Sequence, residues 1–221
     1  AGLVTLAVPE TSFDIYASDD PGNLIESRTD FAACITDKRR RTVLLGPGLG
    51  IGQENRELVL SALMGGERCV ILDADALTSF ADDPAELFNA IQGPVIMTPH
   101  DGEFARLFDT DSDKLSRARN AAKKANAVIV LKGADTVIAA PDGRTRINAN
   151  APPWLATAGS GDALSGIIAG LAANGSDAFD AASAGVWLHC QAGQCVGPGL
   201  IAEDIADVLP AVLDSLFFEP A

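Results

Sequence analysis

The chain has 221 residues, of which 48% are hydrophobic and 21% charged, and its formal net charge is −14. This length and apolar content suffice for one sizeable core, so we expect a single domain over residues 1–221. The acidic balance argues against a nucleic-acid surface, because duplex binding depends on Lys and Arg neutralising phosphates. The sequence contains neither the roughly 20 consecutive apolar residues of a membrane span nor a basic segment ahead of an apolar one, so we expect a soluble, cytoplasmic protein.

The cysteines show neither a CxxC pair nor the spacing of a metal site. We therefore expect buried, reduced thiols, which fits a reducing compartment. The four residues are Cys34, Cys69, Cys190 and Cys195.

The first predicted elements are a strand at residues 3–8, a mixed stretch that ends in the basic cluster 38–41, and a second strand at 43–45. The cluster is interpreted as a solvated turn. The second strand runs into the glycine-rich segment 46–50, which precedes a helix from about Glu54 to Met64. Open α/β sheets bind ligands at such strand ends, but the segment matches neither the dinucleotide fingerprint nor a P-loop. A tight turn and a binding loop therefore remain equally possible.

Three further apolar strands end in polar clusters. Since the carboxyl ends of parallel strands meet at one edge of a sheet, we expect these clusters to converge there. Asp73 and Asp75 could equally be helix caps or site residues. The strands and the clusters that follow them are 69–72 with 73–77, 94–97 with 98–103, and 128–131 with 132–136.

The remaining elements complete an α/β pattern. Residues 137–139 and 145–147 flank Pro-Asp-Gly, which indicates a hairpin. Alternating strands and helices predict a three-layer α/β/α sandwich with a central, mostly parallel sheet, which the hairpin makes mixed. Pro210 is expected to kink or break the last helix. The predicted helices are 113–126, capped by Ser112 or Asp113, then 163–173, 178–196 and 202–216.

Residues 157–166, Thr-Ala-Gly-Ser-Gly-Asp-Ala-Leu-Ser-Gly, combine small residues with one acid ahead of an apolar helix. Gly159 and Gly161 allow a tight turn whose backbone can approach a ligand. Such a turn aims free amides and the positive end of the helix dipole at one point, where a phosphate would be held. Asp162 would repel that anion, so the residues leave two roles open for it, a helix N-cap or a general base that reaches a substrate hydroxyl.

Five of these segments, in this order, closely resemble the ADP/ATP-dependent NAD(P)H-hydrate dehydratases, which are YjeF C-terminal-type members of the ribokinase-like superfamily. Each segment is weak evidence alone, but the combination is specific, and the resemblance runs from residue 1 to about residue 216. The segments are GPGLG at 46–50, DADAL at 73–77, TPHDGE at 98–103, KGADT at 132–136 and AGSGD at 158–162.

The resemblance implies a carbon–oxygen lyase of nicotinamide nucleotide repair. The family acts on NADHX and NADPHX, the hydrated forms of the reduced nucleotides, and uses a nucleoside phosphate to activate the C6 hydroxyl. The activated group then leaves, and the dihydropyridine ring is restored. Hydroxide is a poor leaving group, so conversion of the hydroxyl to a phosphate ester lowers the barrier to its departure. An acidic residue must accept the hydroxyl proton as the oxygen attacks phosphorus. By resemblance this base is Asp162, and the cofactors are ADP or ATP and Mg²⁺.

The resemblance also implies roles for other residues. Gly48 and His100, with Asp162, match positions that contact the hydrated nucleotide. Glu103 matches an acid that bears on Mg²⁺, commonly through water, which suits a cation that keeps several waters. The residues that match nucleotide-binding positions are Lys132, Gly133, Ala134, Asp135, Thr136 and Gly161.

Simpler structural roles compete with these. His100 could satisfy turn backbone, and Lys132 could be a solvated strand end. His189, in a predicted apolar helix, is interpreted as a satisfied core or surface histidine rather than a ligand. The residues for which a pocket role and a turn or core role both stand are Asn148, Asn150 and Trp154, whereas Trp187 is expected in the core.

Family members carry a first strand and helix, joined by a Gly-Ser-containing turn, ahead of the position of Ala1. The resemblance therefore implies a domain that is N-terminally incomplete relative to the family, with part of the substrate pocket supplied by those elements. The epimerase domain of some relatives is also absent from this sequence, so we expect a separate NAD(P)HX epimerase as the pathway partner. A homo-oligomer is expected because such folds commonly associate.

Two other functions fit the same segments. One is a ribokinase-like small-molecule kinase, of the hydroxyethylthiazole- or sugar-kinase kind, in which Asp162 activates a hydroxyl and the phosphorylated product is released. The other is a nucleotide-binding protein without turnover. The segment Thr-Pro-His at 98–100, where sugar kinases have Thr-Pro-Asn, favours the dehydratase.

Overall fold

The computed structural model describes residues 4–7, 23–25, 35 and 40–217. Its eight described strands form one sheet in the order β2-β1-β3-β4-β5-β6-β7-β8. Neighbours from β2 to β6 pair in parallel, and β7 and β8 follow antiparallel, so the predicted mixed sheet is confirmed. The strands are β1 (Val4–Ala7), β2 (Asn23–Ile25), β3 (Thr42–Leu45), β4 (Cys69–Leu72), β5 (Val95–Met97), β6 (Val128–Leu131), β7 (Thr136–Ala139) and β8 (Thr145–Asn148).

Helices follow most of the strands. Several of these helices have an aspartate N-cap, whose side chain accepts a hydrogen bond from a backbone amide in the first turn of the helix that follows. The caps of α3, α5 and α7 are Asp83, Asp113 and Asp177. The helices are α1 (Gln53–Leu63), α2 (Ala74–Thr78), α3 (Pro84–Ala90), α4 (Asp101–Leu107), α5 (Lys114–Ala125), α6 (Ser160–Ala173), α7 (Ala178–Val196) and α8 (Ala202–Phe217), with a 3₁₀ turn at Pro153–Leu155.

The sheet has a hydrophobic core on each face, because successive side chains of a strand point to opposite sides. Leu44 and Ile71, which are paired in register, pack against α6 and α7. Leu45 and Leu72, one position further along, pack into the layer that contains α1 to α5. The predicted three-layer sandwich is therefore confirmed, with α8 packed on the outside of α7.

Three short helices, α2, α3 and α4, and the strand β2 are absent from the sequence prediction. Two of these helices begin directly at the polar ends of strands, with Asp73 as the N-cap of α2 and His100 as the N-cap of α4. The polar residues after β4 and β5 are thus helix starts as well as strand ends. Their helices are too short, at five and seven residues, to show a clear apolar period.

The last helix is not broken at its proline, so of the two expected effects of Pro210 the break is wrong. α8 continues through Pro210, which is exposed and near the middle of the helix. The basic cluster is also less solvated than expected, because Arg40 is only 9% exposed, whereas Arg41 is exposed. Residues 38 and 39 of that cluster lie outside the described residues.

The described cysteines are free thiols in three different environments. Cys190 is buried and Cys69 is half-buried, and burial raises the pKa of Cys69 to about 12. Cys195 is exposed, so the expectation of a buried thiol is wrong there, and Cys34 lies outside the described residues. A membrane-crossing helix would have to be longer and more apolar than any helix in the described part of the chain.

Candidate active site

The polar ends of β3, β4, β5 and β6 lie side by side, because these four strands are consecutive in the sheet and parallel. The convergence predicted from the sequence is therefore confirmed at this edge. Lys132, directly after β6, reaches Asp73, directly after β4, with 2.9 Å between Nζ and Oδ1. The N-terminus of α6 closes over the same edge, since Ser165 in its second turn also bonds to Asp73.

Asp73 is the buried centre of this arrangement, with a side chain that is 1% exposed. Its Oδ1 accepts the backbone N–H of Ala74 at 3.0 Å as well as the Lys132 ammonium, and its Oδ2 accepts the Ser165 hydroxyl at 2.7 Å. The Ser165 hydroxyl in turn lies 3.2 Å from the hydroxyl of Thr98. Asp73 is therefore the helix cap that was one of the two roles left open, and it also lies at the centre of the candidate site.

Lys132 stands over the start of α6 rather than in solvent. Its side chain is 18% exposed, and Nζ lies 3.2 Å from the point that a Cβ on Gly161 would occupy. A side chain at position 161 would thus crowd the ammonium group. The interpretation of Lys132 as a solvated strand end is wrong, because its charge is held between the Asp73 carboxylate and the first turn of α6.

The first turn of α6 presents unpaired backbone donors. Gly159 is the N-cap, in the left-handed conformation with φ 80°, and makes no side-chain cap. Within residues 40–217, backbone bonds account for the amides of Ser160 and Ala163 but not for those of Gly161 and Asp162. Two N–H groups without a backbone partner, the positive end of the helix dipole and the Lys132 ammonium, which approaches Gly161, therefore lie at the same helix start, which is the composition of an anion site.

Asp162 lies in the first turn of α6, so the N-cap role considered for it is wrong. Desolvation raises the pKa of Asp162 above its ordinary value, the carboxylates of Asp73, Glu103 and Asp75 raise it further, and the Lys132 ammonium lowers it. A carboxylate whose pKa is raised is a stronger proton acceptor once it is ionised. Its position beside an anion site gives it access to a hydroxyl that is next to a phosphate.

His100 and Glu103 form a reciprocal cap at the start of α4. The His100 Nδ1 accepts the amides of Gly102 and Glu103, and the Glu103 Oε2 accepts the His100 amide at 2.9 Å. The turn role considered for His100 is therefore confirmed, but its side chain is 57% exposed at the site edge and stays open to a ligand.

The residues around Glu103 do not form a cage for a divalent cation. No group of three or more His, Cys, Asp or Glu side chains suited to a metal occurs among the residues that the structure describes. Both carboxylate oxygens of Glu103 already have neighbours, the His100 Nε2 at 3.4 Å from Oε1 and the Lys132 Nζ at 3.9 Å from Oε2. This environment fits a carboxylate that acts on a cation through water, the role that the resemblance implies, better than a direct ligand.

The segment 132–136 forms a turn between β6 and β7 that is fixed from below by α5. Lys114 donates to Asp135 at 2.9 Å and to the Lys132 carbonyl at 3.4 Å. The Thr136 hydroxyl donates to the Gly133 carbonyl at 3.0 Å. Asp135 is thus turned toward Lys114, while Ala134 lines the neighbouring cavity.

A cavity of about 280 Å³ opens between this turn, the start of α6 and the middle of α7. Five of the six positions matched to nucleotide binding line it, Asp135 being the exception. Its remaining wall is mostly apolar, which suits a flat base and a ribose. The lining residues are Lys132, Gly133, Ala134, Thr136, Ala151, Pro152, Pro153, Leu155, Ala156, Ser160, Gly161, Leu164, Val186, His189 and Cys190.

His189 is a cavity residue that the sequence did not indicate. It is 7% exposed, and its Nε2 lies 3.0 Å from the hydroxyl of Ser160, so the satisfied core histidine expected from its helix is also correct. Burial lowers the pKa of His189 to about 4, and the Lys132 charge lowers it further, while the Ser160 contact raises it. No sequence signal marks it, because its orientation toward the cavity depends on the packing of α7 against α6, which approach closely at Gly185.

The other residues with two open roles are resolved by their contacts. The Trp154 indole donates to the Gly193 carbonyl and packs in the core between α6, α7 and α8, whereas the neighbouring Leu155 lines the cavity. Asn148 donates to the Cys190 sulfur at 3.0 Å, and the Asn150 carbonyl accepts from Gln194, so neither side chain lines the cavity. Trp187 packs in the same core as Trp154, as expected.

Gly48 lies at the tip of the loop after β3, and β3 is the strand that neighbours β4 at the site edge. It is exposed, and its φ of 64° lies in the left-handed region that favours glycine. Gly48 and His100 therefore lie on loops that flank the Asp73 strand on both sides.

Comparison with known proteins identifies what this chain is similar to. A sequence model of the family described as NAD(P)H-hydrate dehydratase matches residues 1–207. The bifunctional NAD(P)H-hydrate repair enzyme of Moorella thermoacetica is 38% identical over 224 residues, which cover 97% of this chain and 40% of that protein. The ADP-dependent (S)-NAD(P)H-hydrate dehydratase of Xanthomonas campestris pv. campestris is 32% identical, and the match covers 96% of this chain and 74% of that protein.

A solved structure shows the same fold. The ADP/ATP-dependent NAD(P)H-hydrate dehydratase from Bacillus subtilis, co-crystallised with ATP and Mg²⁺, superposes with a TM-score of 0.71 at 33% identity. The match covers 79% of this chain and 64% of that one. The chain spans about two fifths of the length of the bifunctional relatives that it matches.

Proposed function

Because this chain belongs to the NAD(P)H-hydrate dehydratase family, we propose that it converts (S)-NADHX or (S)-NADPHX to the reduced nucleotide with ADP or ATP as phosphoryl donor. The observation that carries the proposal is the grouping of Asp162, the Lys132 ammonium and the free amides of α6 at one point. A base beside an anion site is the arrangement that phosphorylation of a hydroxyl needs.

In the proposed reaction, Asp162 accepts the proton of the C6 hydroxyl as that oxygen attacks the terminal phosphorus of the nucleotide. A carbon–oxygen–phosphorus ester forms, and the bond between the terminal phosphorus and the rest of the nucleotide breaks. The carbon–oxygen bond then breaks with phosphate as the leaving group, and loss of a ring proton restores the dihydropyridine. The raised pKa of Asp162 supports its role as the base in the first step.

The nucleotide is proposed to bind with its base in the cavity and its phosphates at the start of α6. Lys132 and Gly161 border both regions. Both line the cavity, and the Lys132 Nζ lies 3.2 Å from the point that a Cβ on Gly161, in the first turn of α6, would occupy. Preorganised donors of this kind stabilise charge that develops on transferred phosphoryl oxygens. The roles proposed for Gly133, Ala134 and Thr136 are to shape the cavity wall.

Mg²⁺ is proposed to accompany the nucleotide, supported by the charge balance of the site. The carboxylates of Asp73, Glu103 and Asp162 surround one ammonium group, so the site is negative before any phosphate arrives. Phosphate binding then requires additional positive charge, which a phosphate-bound cation supplies. Glu103 would act on that cation through water, because its two oxygens contact His100 and Lys132.

The test incubates the full-length protein with NADHX or NADPHX, Mg²⁺, and ADP or ATP, and follows the absorbance of the dihydronicotinamide ring. We expect recovery of that absorbance with at least one nucleotide. No recovery with any combination would overturn the proposal, and a stable phosphorylated product would identify a small-molecule kinase instead. An epimerase activity that supplies the (S) form is the proposed pathway partner, and adding an epimerase should allow the racemic hydrate to be consumed completely.

A further inference from the structure

The loop at residues 46–50 is held to the site by side chains outside it. Glycines at positions 46, 48, 50 and 52 give this segment more backbone freedom than residues with a Cβ would. The loop nevertheless has a defined conformation, and its middle residues, Pro47 and Gly48, are partly or fully exposed. Contacts from β4, α1 and α2 must therefore fix it.

The start of the loop is pressed against the end of β4. A Cβ on Gly46, where φ is 132°, would lie 1.7 Å from the Asp73 carbonyl oxygen, so only glycine permits this approach. The Leu49 amide donates to the Gly46 carbonyl at 3.0 Å, and the Leu49 side chain is buried in the core. Pro47 and Gly48, which form the tip of the loop, therefore lie within a hydrogen-bonded turn over residues 46–49.

The end of the loop is held by two side chains from different helices. Asp75, in the first turn of α2, accepts the Gly50 amide at 2.8 Å. Asn55, in α1, donates from Nδ2 to the Leu49 carbonyl at 2.8 Å and to the Gly50 carbonyl at 3.1 Å. Three hydrogen bonds from outside therefore converge on two adjacent residues of the loop.

The backbone that carries Asp75 is itself in a costly conformation. Ala74, which precedes it, has a φ of 45°, a left-handed value that residues with a Cβ rarely adopt. Asp75 also contributes to the electrostatic environment of Asp162. The turn between Asp73 and Asp75 thus connects the glycine loop to the proposed base, and a strained residue at this connection is typical of a functional site.

We propose that Asn55 and Asp75 are positioning residues, which hold the 46–50 loop beside Asp162 so that its tip contacts the hydrated nicotinamide nucleotide. This inference rests on the proposed function, and it concerns the substrate rather than the nucleotide half of the site. Loss of either anchor leaves the nucleotide cavity unchanged, because no residue of the loop lines that cavity. The two halves of the site are therefore separable by kinetics.

The test compares Asn55→Ala with Gln53→Ala, a matched control in the same helix whose side chain bonds only to Glu57 among the described contacts. In steady-state assays we expect Asn55→Ala to raise the KM for NADHX or NADPHX roughly two- to tenfold, the range for a lost hydrogen bond, with the nucleotide KM unchanged. Gln53→Ala should leave both values unchanged. Equal rises in both KM values, or no difference between the two variants, would overturn the proposal.

Asp75 needs two substitutions, because it supplies both an acceptor and a charge. Asp75→Asn keeps an oxygen that can accept the Gly50 amide, so its substrate KM should stay near the wild-type value, whereas Asp75→Ala should raise it. If both variants raise the substrate KM equally, the charge of Asp75 matters and the anchor does not, and if neither variant raises it, Asp75 does not position the loop. Hydrogen exchange of the amides of residues 46–52 gives a readout that is independent of turnover, and faster exchange in Asn55→Ala is required.

The proposed function and this inference fail differently. A wild-type protein that recovers no dihydronicotinamide absorbance contradicts the proposed function and removes the loop's assignment to that substrate. A wild-type protein that turns over, with an Asn55→Ala variant of unchanged substrate KM and unchanged loop exchange, contradicts only the inference.

Discussion

At the scale of single residues, Asp162 combines a chemical advantage with a structural cost. Its pKa is raised mainly by desolvation and then by the neighbouring carboxylates of Asp73, Glu103 and Asp75. A carboxyl group whose folded pKa lies above its unfolded value contributes stability at low pH that is lost as the pH rises through the folded pKa. The ionised form that the proposed reaction requires is therefore the less stable one.

We expect Asp162→Asn to abolish turnover and to leave ADP binding, measured by calorimetry, within about threefold of wild type, since the amides and the Lys132 ammonium that are proposed to hold the phosphates remain. The same variant should melt at a higher temperature at neutral pH, and the difference should shrink as the pH falls below the ordinary carboxyl range. A variant with near wild-type turnover would contradict the role of Asp162 as the base.

The pH dependence of turnover follows from the same residue. The base acts only when ionised, so activity should fall on acidification, and the raised pKa of Asp162 places this fall at a higher pH than an ordinary carboxyl group would. A profile of kcat/KM against pH checks this expectation. An acidic limb at or below the value of a free aspartate would show that another group controls it.

His189 titrates in the opposite direction. Its folded pKa is lowered to about 4 from 6.5, so the unfolded chain binds the proton more tightly and stability is lost as the pH falls through this window. The free energy of unfolding that is lost over this window is at most on the order of 3 kcal/mol. We expect the unfolding free energy of His189→Gln to decline less steeply than that of wild type between these two pH values, as measured by urea denaturation. Parallel curves would show that His189 is not buried in its neutral form.

At the scale of elements, the site depends on the close packing of α6 and α7. A Cβ on Gly185 of α7 would lie 2.5 Å from the Ile168 Cγ1 and 3.3 Å from its Cα, which belong to α6. Overpacking of this kind typically costs about 1–3 kcal/mol. The glycine therefore sets the distance between the helix that carries Asp162 and the helix that carries His189.

Substitution tests this contact directly. Gly185→Ala should reduce the free energy of unfolding by up to about 2 kcal/mol, because a clash that costs about 1–3 kcal/mol is only partly offset by the roughly 1 kcal/mol gained in helix propensity. Gly166→Ala, in the middle of α6, is the matched control, since no atom lies within 4 Å of its Cβ position, and it should be neutral or stabilising. Equal effects of the two substitutions in chemical denaturation would contradict the close approach.

The elements also show how far the sequence predicts this fold and site. The strand ends were predictable because short apolar runs that stop at a polar cluster are typical of buried parallel strands, and Lys132 and Gly161 followed from the resemblance. Two features were not. The helix α4, at seven residues, is too short to show an apolar period. His189 lies in an apolar stretch, and its orientation toward the cavity depends on the packing of α7.

At the scale of the whole molecule, the net charge of −14 opposes compaction. The interactions between exposed carboxylates are screened over about 10 Å at 0.1 M salt. We therefore expect the melting temperature to rise by a few degrees when NaCl increases from about 10 mM to about 300 mM, because screening relieves the repulsion more than it weakens individual ion pairs. Differential scanning calorimetry checks this, and a fall over the same range would mean that ion pairs dominate.

The buried Asp73 carboxylate has a consequence for the order in which the molecule folds. Its partners Lys132 and Ser165 are 59 and 92 residues away along the chain, and they arrive on β6 and α6. Until both segments have docked, this carboxylate must keep its water, because an unpaired buried charge is strongly unfavourable. Its dehydration is therefore expected late in folding, after the transition state, so that a substitution such as Asp73→Asn should change the unfolding rate more than the folding rate.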